Sequence, residues 1–254
     1  MKSKFNKSPH QASWCGDKIG IIAGSGVEDL IFTKGFQLKD IKTKYGSVQL
    51  KIGRVAGREI VFLNRHGAGY VAPHAINYLA NIQVFRDLGV NKIIATAAVG
   101  SLSLKMKPGD LVLLSDFIDF TRKRQEYFNP SEFIDLTCPY NMGLRKALQK
   151  AATRLKMKIH PSAVYVCTEG PRFETRAEIK MFQRVGGEVV GMTNVPEVVL
   201  AMEVGLPYAA VGVVTNYAAG ISPKLISSEE VLGMMKAKNQ ALSSLLLQTL
   251  RDLP

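Results

Sequence analysis

Five apolar runs in this chain each end on glycine, arginine or small polar residues, and helical patterns fill the intervals between them. Lys18–Ala23 leads into Gly24-Ser25-Gly26, Arg58–Asn64 into Arg65-His66-Gly67, and Lys92–Val99 into Gly100-Ser101. Ala163–Cys167 leads into Thr168-Glu169-Gly170-Pro171, and Tyr208–Thr215 into Asn216 and, shortly after, Gly220. Continuous apolar runs of this length suit strands buried on both faces, and their alternation with helices predicts an α/β fold. In such folds ligands lie in the crevice outside the strand ends, so these loops are where function is sought.

The remaining pattern fits that frame. Ser47–Val55 and Arg58–Asn64 read as a hairpin around Ala56-Gly57. His74–Leu88 is amphipathic, with Ile76, Leu79, Ile82 and Phe85 on one face and Gly89 closing it. Asp110–Phe117 is a further strand, and Met142–Met157 a helix capped by Asn141. A helix from Ala177 to about Val185 precedes a short strand at Glu188–Met192, and Pro196 takes an early position in the next helix. The last helix spans Ser228 to Leu250, with Ser227 and Glu230 spaced as a capping box. Ile118–Asn141 has little periodicity and is long for a loop, which points to a role in function or at an interface. No Pro/Ser-rich linker or internal repeat divides the chain. Residues 17–254 therefore read as one domain, preceded by a flexible basic tail over residues 1–16 with a lone Trp14.

Composition narrows the setting. Of 254 residues, 46% are hydrophobic and 21% charged, as in a soluble globular protein. No apolar run approaches a membrane span, and the N-terminus lacks a signal-peptide pattern. Cys15, Cys138 and Cys167 are scattered without CxxC or metal-ligand spacing, so a disulfide-free cytoplasmic protein is expected. The net charge of +12 suits an anionic partner. Its densest runs, Lys2, Lys4 and Lys7 and then Arg122-Lys123-Arg124, are short and accompany no nucleic-acid-binding motif. A small anion is the better partner, with neither nucleic acid nor membrane.

The strand ends suggest which anion. Two glycines around Ser25 let backbone N–H groups and a hydroxyl approach an oxyanion. Arg65 offers a planar fork of donors and His66 one more, a combination suited to phosphate, although a surface Arg and a packed His would read the same way. Small residues at Ala97-Ala98-Val99-Gly100 let a ligand rest against the backbone. In the loop after Cys167, Phe173 beside Glu174 suits a flat heterocycle with N–H donors on one edge. The alternative is that Phe173 is core and Glu174 a first-turn acid favoured by the helix dipole.

Taken together, Gly24-Ser25-Gly26, Arg65-His66-Gly67, Ala97-Ala98-Val99-Gly100, Glu169-Gly170-Pro171-Arg172-Phe173, Gly191-Met192-Thr193-Asn194-Val195-Pro196-Glu197 and Thr215-Asn216 resemble the purine nucleoside phosphorylase family, in the branch shared with methylthioadenosine phosphorylase. The resemblance runs from Lys18 to Leu250. It implies a three-layer α/β fold around a central mixed sheet flanked by helices, assembled as a homotrimer or a dimer of trimers. It also implies phosphorolysis of purine nucleosides, with inorganic phosphate as co-substrate and no metal or organic cofactor. Carried over by position, phosphate would meet Ser25, Arg65, His66, the Ala98 backbone N–H and Thr193. The ribose would lie on Met192 and the purine against Phe173. Ala97 stands where relatives carry Thr or Asn, which removes one side-chain contact near phosphate or sugar.

The resemblance also bears on the base. Asn216 can hydrogen-bond N7 of the departing purine with one amide group and turn the other toward O6. Glu174 matches the N1–H of a 6-oxopurine and the 2-amino group of guanine, whereas adenine would set an acceptor against it. The 6-aminopurine relatives carry Ser and Asp at the positions of Glu174 and Asn216. The catalytic set is thus Asn216, Glu174 and His66, and the expected activity is phosphorolysis of inosine and guanosine in purine salvage. At the 5′ end of the sugar the matching position is Ser228, with Val231 and Leu232 one turn on. This leaves S-methyl-5′-thioinosine as the alternative substrate, with a methylthioadenosine phosphorylase or a hydrolytic nucleosidase further off. Phe133 aligns with a ring that relatives insert into the neighbouring subunit's site.

Overall fold

The computed structural model describes residues 18–27, 30–67, 69–122 and 127–254. The tail expected over residues 1–16, with Trp14 and Cys15, and Lys123-Arg124 of the central basic run lie outside the described residues. Among the described residues, nine strands form one mixed sheet: β1 Lys18–Ala23, β2 Gln37–Thr43, β3 Gly46–Val55, β4 Arg58–Asn64, β5 Lys92–Ser101, β6 Leu111–Asp119, β7 Ile159–Cys167, β8 Val189–Gly191 and β9 Tyr208–Tyr217. The helices are α1 Tyr78–Asp87, α2 Met142–Arg154, α3 Arg176–Arg184, α4 Glu197–Glu203 and α5 Ser228–Asp252.

The strand order is β2-β3-β4-β1-β5-β8-β7-β6-β9, and β9 returns to pair with β5, so the last five strands close on themselves. Strands β4, β1, β5 and β9 run parallel, which brings their carboxyl ends to one edge. β8 pairs antiparallel with β5 through Gly100 and Val190, and parallel with β7. The loops after β7 and β8 therefore lie beside the same end of β5.

Alternation along the strands divides the core between two faces. Ile93, Ala95, Ala97 and Val99 of β5 join Tyr208, Ala210 and Val214 of β9 against α1 and α4. Ile94 of β5 with Ala209, Val211 and Val213 of β9 packs under α2 and α5. A sheet covered on both faces is the expected three-layer α/β arrangement. A smaller cluster seats α3 through Ile179 and Phe182 on Val166 and Val190.

Several elements differ from expectation. β2 has no counterpart in the sequence reading, because Gln-Leu-Lys-Asp-Ile-Lys-Thr is an exposed edge strand without an apolar face. The helix expected from His74 begins at Tyr78, where Asn77 accepts a hydrogen bond from the Ala80 N–H at 2.9 Å; Pro73–Ala75 form a separate 3₁₀ turn. Asn141 caps α2 as expected, accepting from the Leu144 N–H. Ser227 accepts from the Glu230 N–H, but the Glu230 carboxylate takes Lys224 instead of completing the box. The full capping box lies at α3, between Thr175 and Glu178. Among the described residues, no helix is long and apolar enough to cross a membrane.

Candidate active site

A cavity of about 550 Å³ opens at the shared strand edge. It is lined by Ser25, Arg65, His66, Ala98, Phe173, Glu174, Met192, Thr193, Asn216, Ser228, Val231 and Leu232, along with residues between them. Every expected site residue of the chain lies there except Phe133, which is fully exposed and lines no part of it.

One end gathers Ser25, Arg65, His66, Ala98 and Thr193, the residues expected to meet phosphate. After β1 the chain turns through Gly26 at φ +77°, where a Cβ would sit 2.7 Å from Met235 of α5, so only glycine lets this turn reach the helix. Ser25 Oγ stands 3.2 Å from His66 Nε2. His66 Nδ1 lies 2.7 Å from the Val71 carbonyl, which can only accept; Nδ1 therefore carries a proton. The Thr193 N–H donates to the Tyr165 hydroxyl, fixing the start of the loop after β8.

Arg65, expected to offer a fork of donors to phosphate, engages most of that fork within the chain. Its Nε donates to Glu197 Oε2 at 2.6 Å, Nη2 to Glu197 Oε1 at 2.7 Å, and Nη1 to the Thr96 carbonyl at 2.9 Å. One hydrogen on each terminal nitrogen takes no part in these bonds, and the side chain is closed to solvent. Burial alone would pull the guanidinium pKa down, but the Glu197 charge and hydrogen bonds outweigh it and hold the pKa above its usual value. Tyr208 donates to Glu197 Oε1 at 2.6 Å, and Tyr140 donates to Asn194 Oδ1, giving the pair a buried polar backing. The sequence marks Glu197 only as the end of the Gly191–Glu197 motif. Its signal was a carboxylate opening the otherwise apolar run Val198–Met202 of α4.

The other end suits a flat ring. Gly170, at φ +69°, leaves the space that Met192 fills; a Cβ there would sit 2.6 Å from the Met192 sulfur. The Phe173 ring is partly exposed, and Glu174 is buried and precedes the Thr175 N-cap of α3, so Phe173 is not core and Glu174 is not a first-turn acid of that helix. Thr168 Oγ1 donates to Glu174 Oε1 at 2.7 Å. Desolvation raises the Glu174 pKa, opposed in part by that bond. Between β5 and β9 the register slips, with Val99 opposite Val214 but Gly100 opposite Asn216, so Thr215 is the extra residue of a bulge. The bulge re-aims the strand end. Thr215 Oγ1 donates to Asn216 Oδ1 at 2.7 Å, and Asn216 Nδ2 donates to the Tyr217 carbonyl at 3.0 Å. The amide is thereby oriented, with one N–H still available.

On a third side, the first turns of α5 supply Ser228, Val231 and Leu232. The Ser228 hydroxyl lies 3.2 Å from a Glu229 carboxylate oxygen and donates to it. Phe133 belongs to the irregular segment expected over Ile118–Asn141, although β6 takes its first two residues. This segment is tied down by the Glu203 carboxylate, which accepts from the Phe128 and Asn129 N–H groups. Among the described residues, no group of three His, Cys, Asp or Glu side chains is placed to hold a metal ion. Tyr70, Pro73 and Pro171 also line the cavity and were not foreseen.

Similarity to known proteins agrees with this geometry. The phosphorylase superfamily profile matches residues 18–251. The chain is 45% identical over 248 residues to the 6-oxopurine nucleoside phosphorylase of Pyrococcus furiosus, covering 93% of each protein. It is 42% identical over 240 residues to a protein of Methanothermobacter thermautotrophicus named "Probable S-methyl-5'-thioinosine phosphorylase", covering 92% of this chain and 84% of that one. The crystal structure of methylthioadenosine phosphorylase from Schistosoma mansoni, in complex with adenine, superposes with a TM-score of 0.87 at 31% identity, covering 92% of this chain and 90% of the other. A profile that spans every strand of the sheet, joined to relatives matched over nearly their whole length, places the chain in the phosphorylase superfamily.

Proposed function

We infer that the protein is a 6-oxopurine nucleoside phosphorylase, a pentosyltransferase that converts inosine or guanosine and phosphate to free base and ribose 1-phosphate. The observation that carries the reading is the pairing, in one cavity, of an anion end at Ser25, Arg65 and His66 with a base end at Glu174 and Asn216. A phosphate oxygen attacks C1′ as the C1′–N9 bond breaks, and the bond's electrons pass to the purine. The proton that hydrogen phosphate loses on becoming an ester balances the one that the free base gains.

The chain's residues act on both developing charges. The remaining Arg65 N–H groups, the Ser25 hydroxyl, the Ala98 N–H and Thr193 hold phosphate beneath C1′, where its negative charge stabilises the oxocarbenium-like sugar. Met192 supports the ribose and Phe173 stacks on the base. The free Asn216 N–H serves N7 as negative charge collects on the imidazole ring, and ionised Glu174 accepts from N1–H. An adenine N1 would leave that carboxylate facing a lone pair, a mismatch costing about 1–3 kcal/mol. Glu197 neutralises much of Arg65, so the anion end relies on directed N–H and O–H donors more than on net charge.

A second reading is supported by the sugar end. Val231 and Leu232 offer apolar surface beside a single small hydroxyl at Ser228, and a relative is named for S-methyl-5′-thioinosine. The reading further includes a cytoplasmic homotrimer, or dimer of trimers, in which exposed Phe133 enters the neighbouring subunit's cavity. Neither metal nor organic cofactor takes part, and one phosphorylase domain over residues 17–254 follows a basic tail. Base release from inosine, guanosine, adenosine and methylthioinosine, each with and without phosphate, tests the function. Turnover of inosine that ignores phosphate would overturn it, and a strong preference for methylthioinosine would select the second reading.

A further inference from the structure

Tyr70 has φ +51°, in the left-handed region that disfavours any residue with a Cβ. A strained residue at a site invites a functional reason. Its ring stacks on His66, with 4.7 Å between centroids and 10° between planes, and its hydroxyl lies 3.0 Å from Ser25 Oγ. Two hydrogen bonds close the turn that holds the rings together. The Val71 N–H donates to the His66 carbonyl at 2.8 Å, and His66 Nδ1–H donates to the Val71 carbonyl.

The proton positions follow from this turn. With its proton on Nδ1, a neutral His66 presents Nε2 as an acceptor. The Ser25 hydroxyl then donates to Nε2, and the Ser25 oxygen accepts from the Tyr70 O–H. The chain of donors runs from Tyr70 to Ser25 to His66. Its outermost member is a half-exposed phenol at the anion end of the cavity.

We propose that Tyr70 is a phosphate-contacting residue that covers the anion end. Its hydroxyl, resting here on Ser25, turns to a phosphate oxygen, while its ring stays on His66 and screens that oxygen from bulk water. The same movement relieves Ser25 of the Tyr70 donor, and the Ser25 hydroxyl then turns its own proton from His66 Nε2 to phosphate. The inference rests on the phosphorylase reading, which puts phosphate at Ser25 and His66.

The test is steady-state turnover of inosine at varied phosphate by the parent, Tyr70→Phe and Tyr70→Gly, with thermal melting to establish that each is folded. Tyr70→Phe keeps the stack and loses the donor; a lost hydrogen bond to a charged group predicts a KM for phosphate raised about tenfold. Tyr70→Gly relieves the backbone and removes the cover, and its KM for phosphate rises further. The KM for inosine stays within about twofold in both, because uniform binding of the nucleoside is untouched. A phosphate-dependent parent whose folded variants keep its KM for phosphate overturns the role of Tyr70 alone. A parent that needs no phosphate overturns the phosphorylase reading and this inference with it.

Discussion

Glu197 grips Arg65 with both carboxylate oxygens, at 2.6 and 2.7 Å, and both side chains are fully shielded from water. Glu197 opens α4 and Arg65 directly follows β4, so their contact ties one helix layer to the Ser25–His66 end of the cavity. Removing one partner of a buried pair leaves an uncompensated charge. Glu197→Ala is therefore expected to cost about 3–5 kcal/mol of stability. In Glu197→Gln the stranded guanidinium has only a bound dianion to neutralise it. Phosphate should raise the melting temperature of that variant more than it raises the parent's. Differential scanning fluorimetry with and without phosphate measures this, and equal shifts would remove the link between Glu197 and the anion end.

Glu174 predicts two pH effects of opposite sign. Its pKa is raised by burial, so the folded state holds the proton more tightly than the unfolded chain does. Its contribution to stability is intact below the ordinary carboxylate range and is lost as pH rises through the raised value. Glu174→Gln should thus be more stable than the parent at neutral pH, with the advantage vanishing in acid. Activity on inosine needs the ionised form and falls as pH drops through the same raised value. The acid limb of kcat/KM is expected above the usual carboxylate range in the parent and absent from the residual activity of Glu174→Gln.

Base choice should be convertible. Asn216→Asp removes the amide nitrogen, which donates to the Tyr217 carbonyl and whose second N–H is directed at N7, and sets a carboxylate oxygen against the N7 and O6 acceptors of a 6-oxopurine. Glu174→Ser removes the N1–H partner and the excess negative charge together. The double variant is expected to shift the adenosine-to-inosine ratio of kcat/KM by about one to two orders of magnitude. The two changes act on one ring and should not be additive. Competing-substrate assays of single and double variants measure the ratio; an unchanged preference for inosine would remove both residues as readers of the base.

Phe133 carries the assembly prediction. It is fully exposed although its segment is anchored at Phe128 and Asn129, so a hydrophobic ring is presented on a fixed loop. Phe133→Ala should raise the KM for inosine with kcat reduced less, and sedimentation should still find the parent's assembly state. A monomeric parent with full activity would exclude a site shared between subunits.

The site was legible wherever its residues follow a strand directly. Ser25, Arg65, His66 and Ala98 sit at the ends of apolar runs, and Phe173 and Glu174 lie in a loop marked by Gly170-Pro171. Tyr70 escaped because its turn is set by hydrogen bonds between His66 and Val71, with no periodicity to betray it. β2 escaped because an exposed edge strand needs no apolar alternation.

By itself, the sequence determined where the buried strands run and which of their ends carry donors. A strand covered on both faces must be apolar along its length, and a turn that packs against a helix or a methionine needs glycine at Gly26 or Gly170. Only the tertiary structure decided what those donors face. Glu197 lies 132 positions from Arg65, the closure of β9 onto β5 sets Thr215 into its bulge, and α5 delivers Ser228 to a cavity begun by β1. Ion pairs, bulges and closures of this kind join residues far apart in the chain. Local periodicity records a residue's own burial and nothing of the partner that burial brings to it.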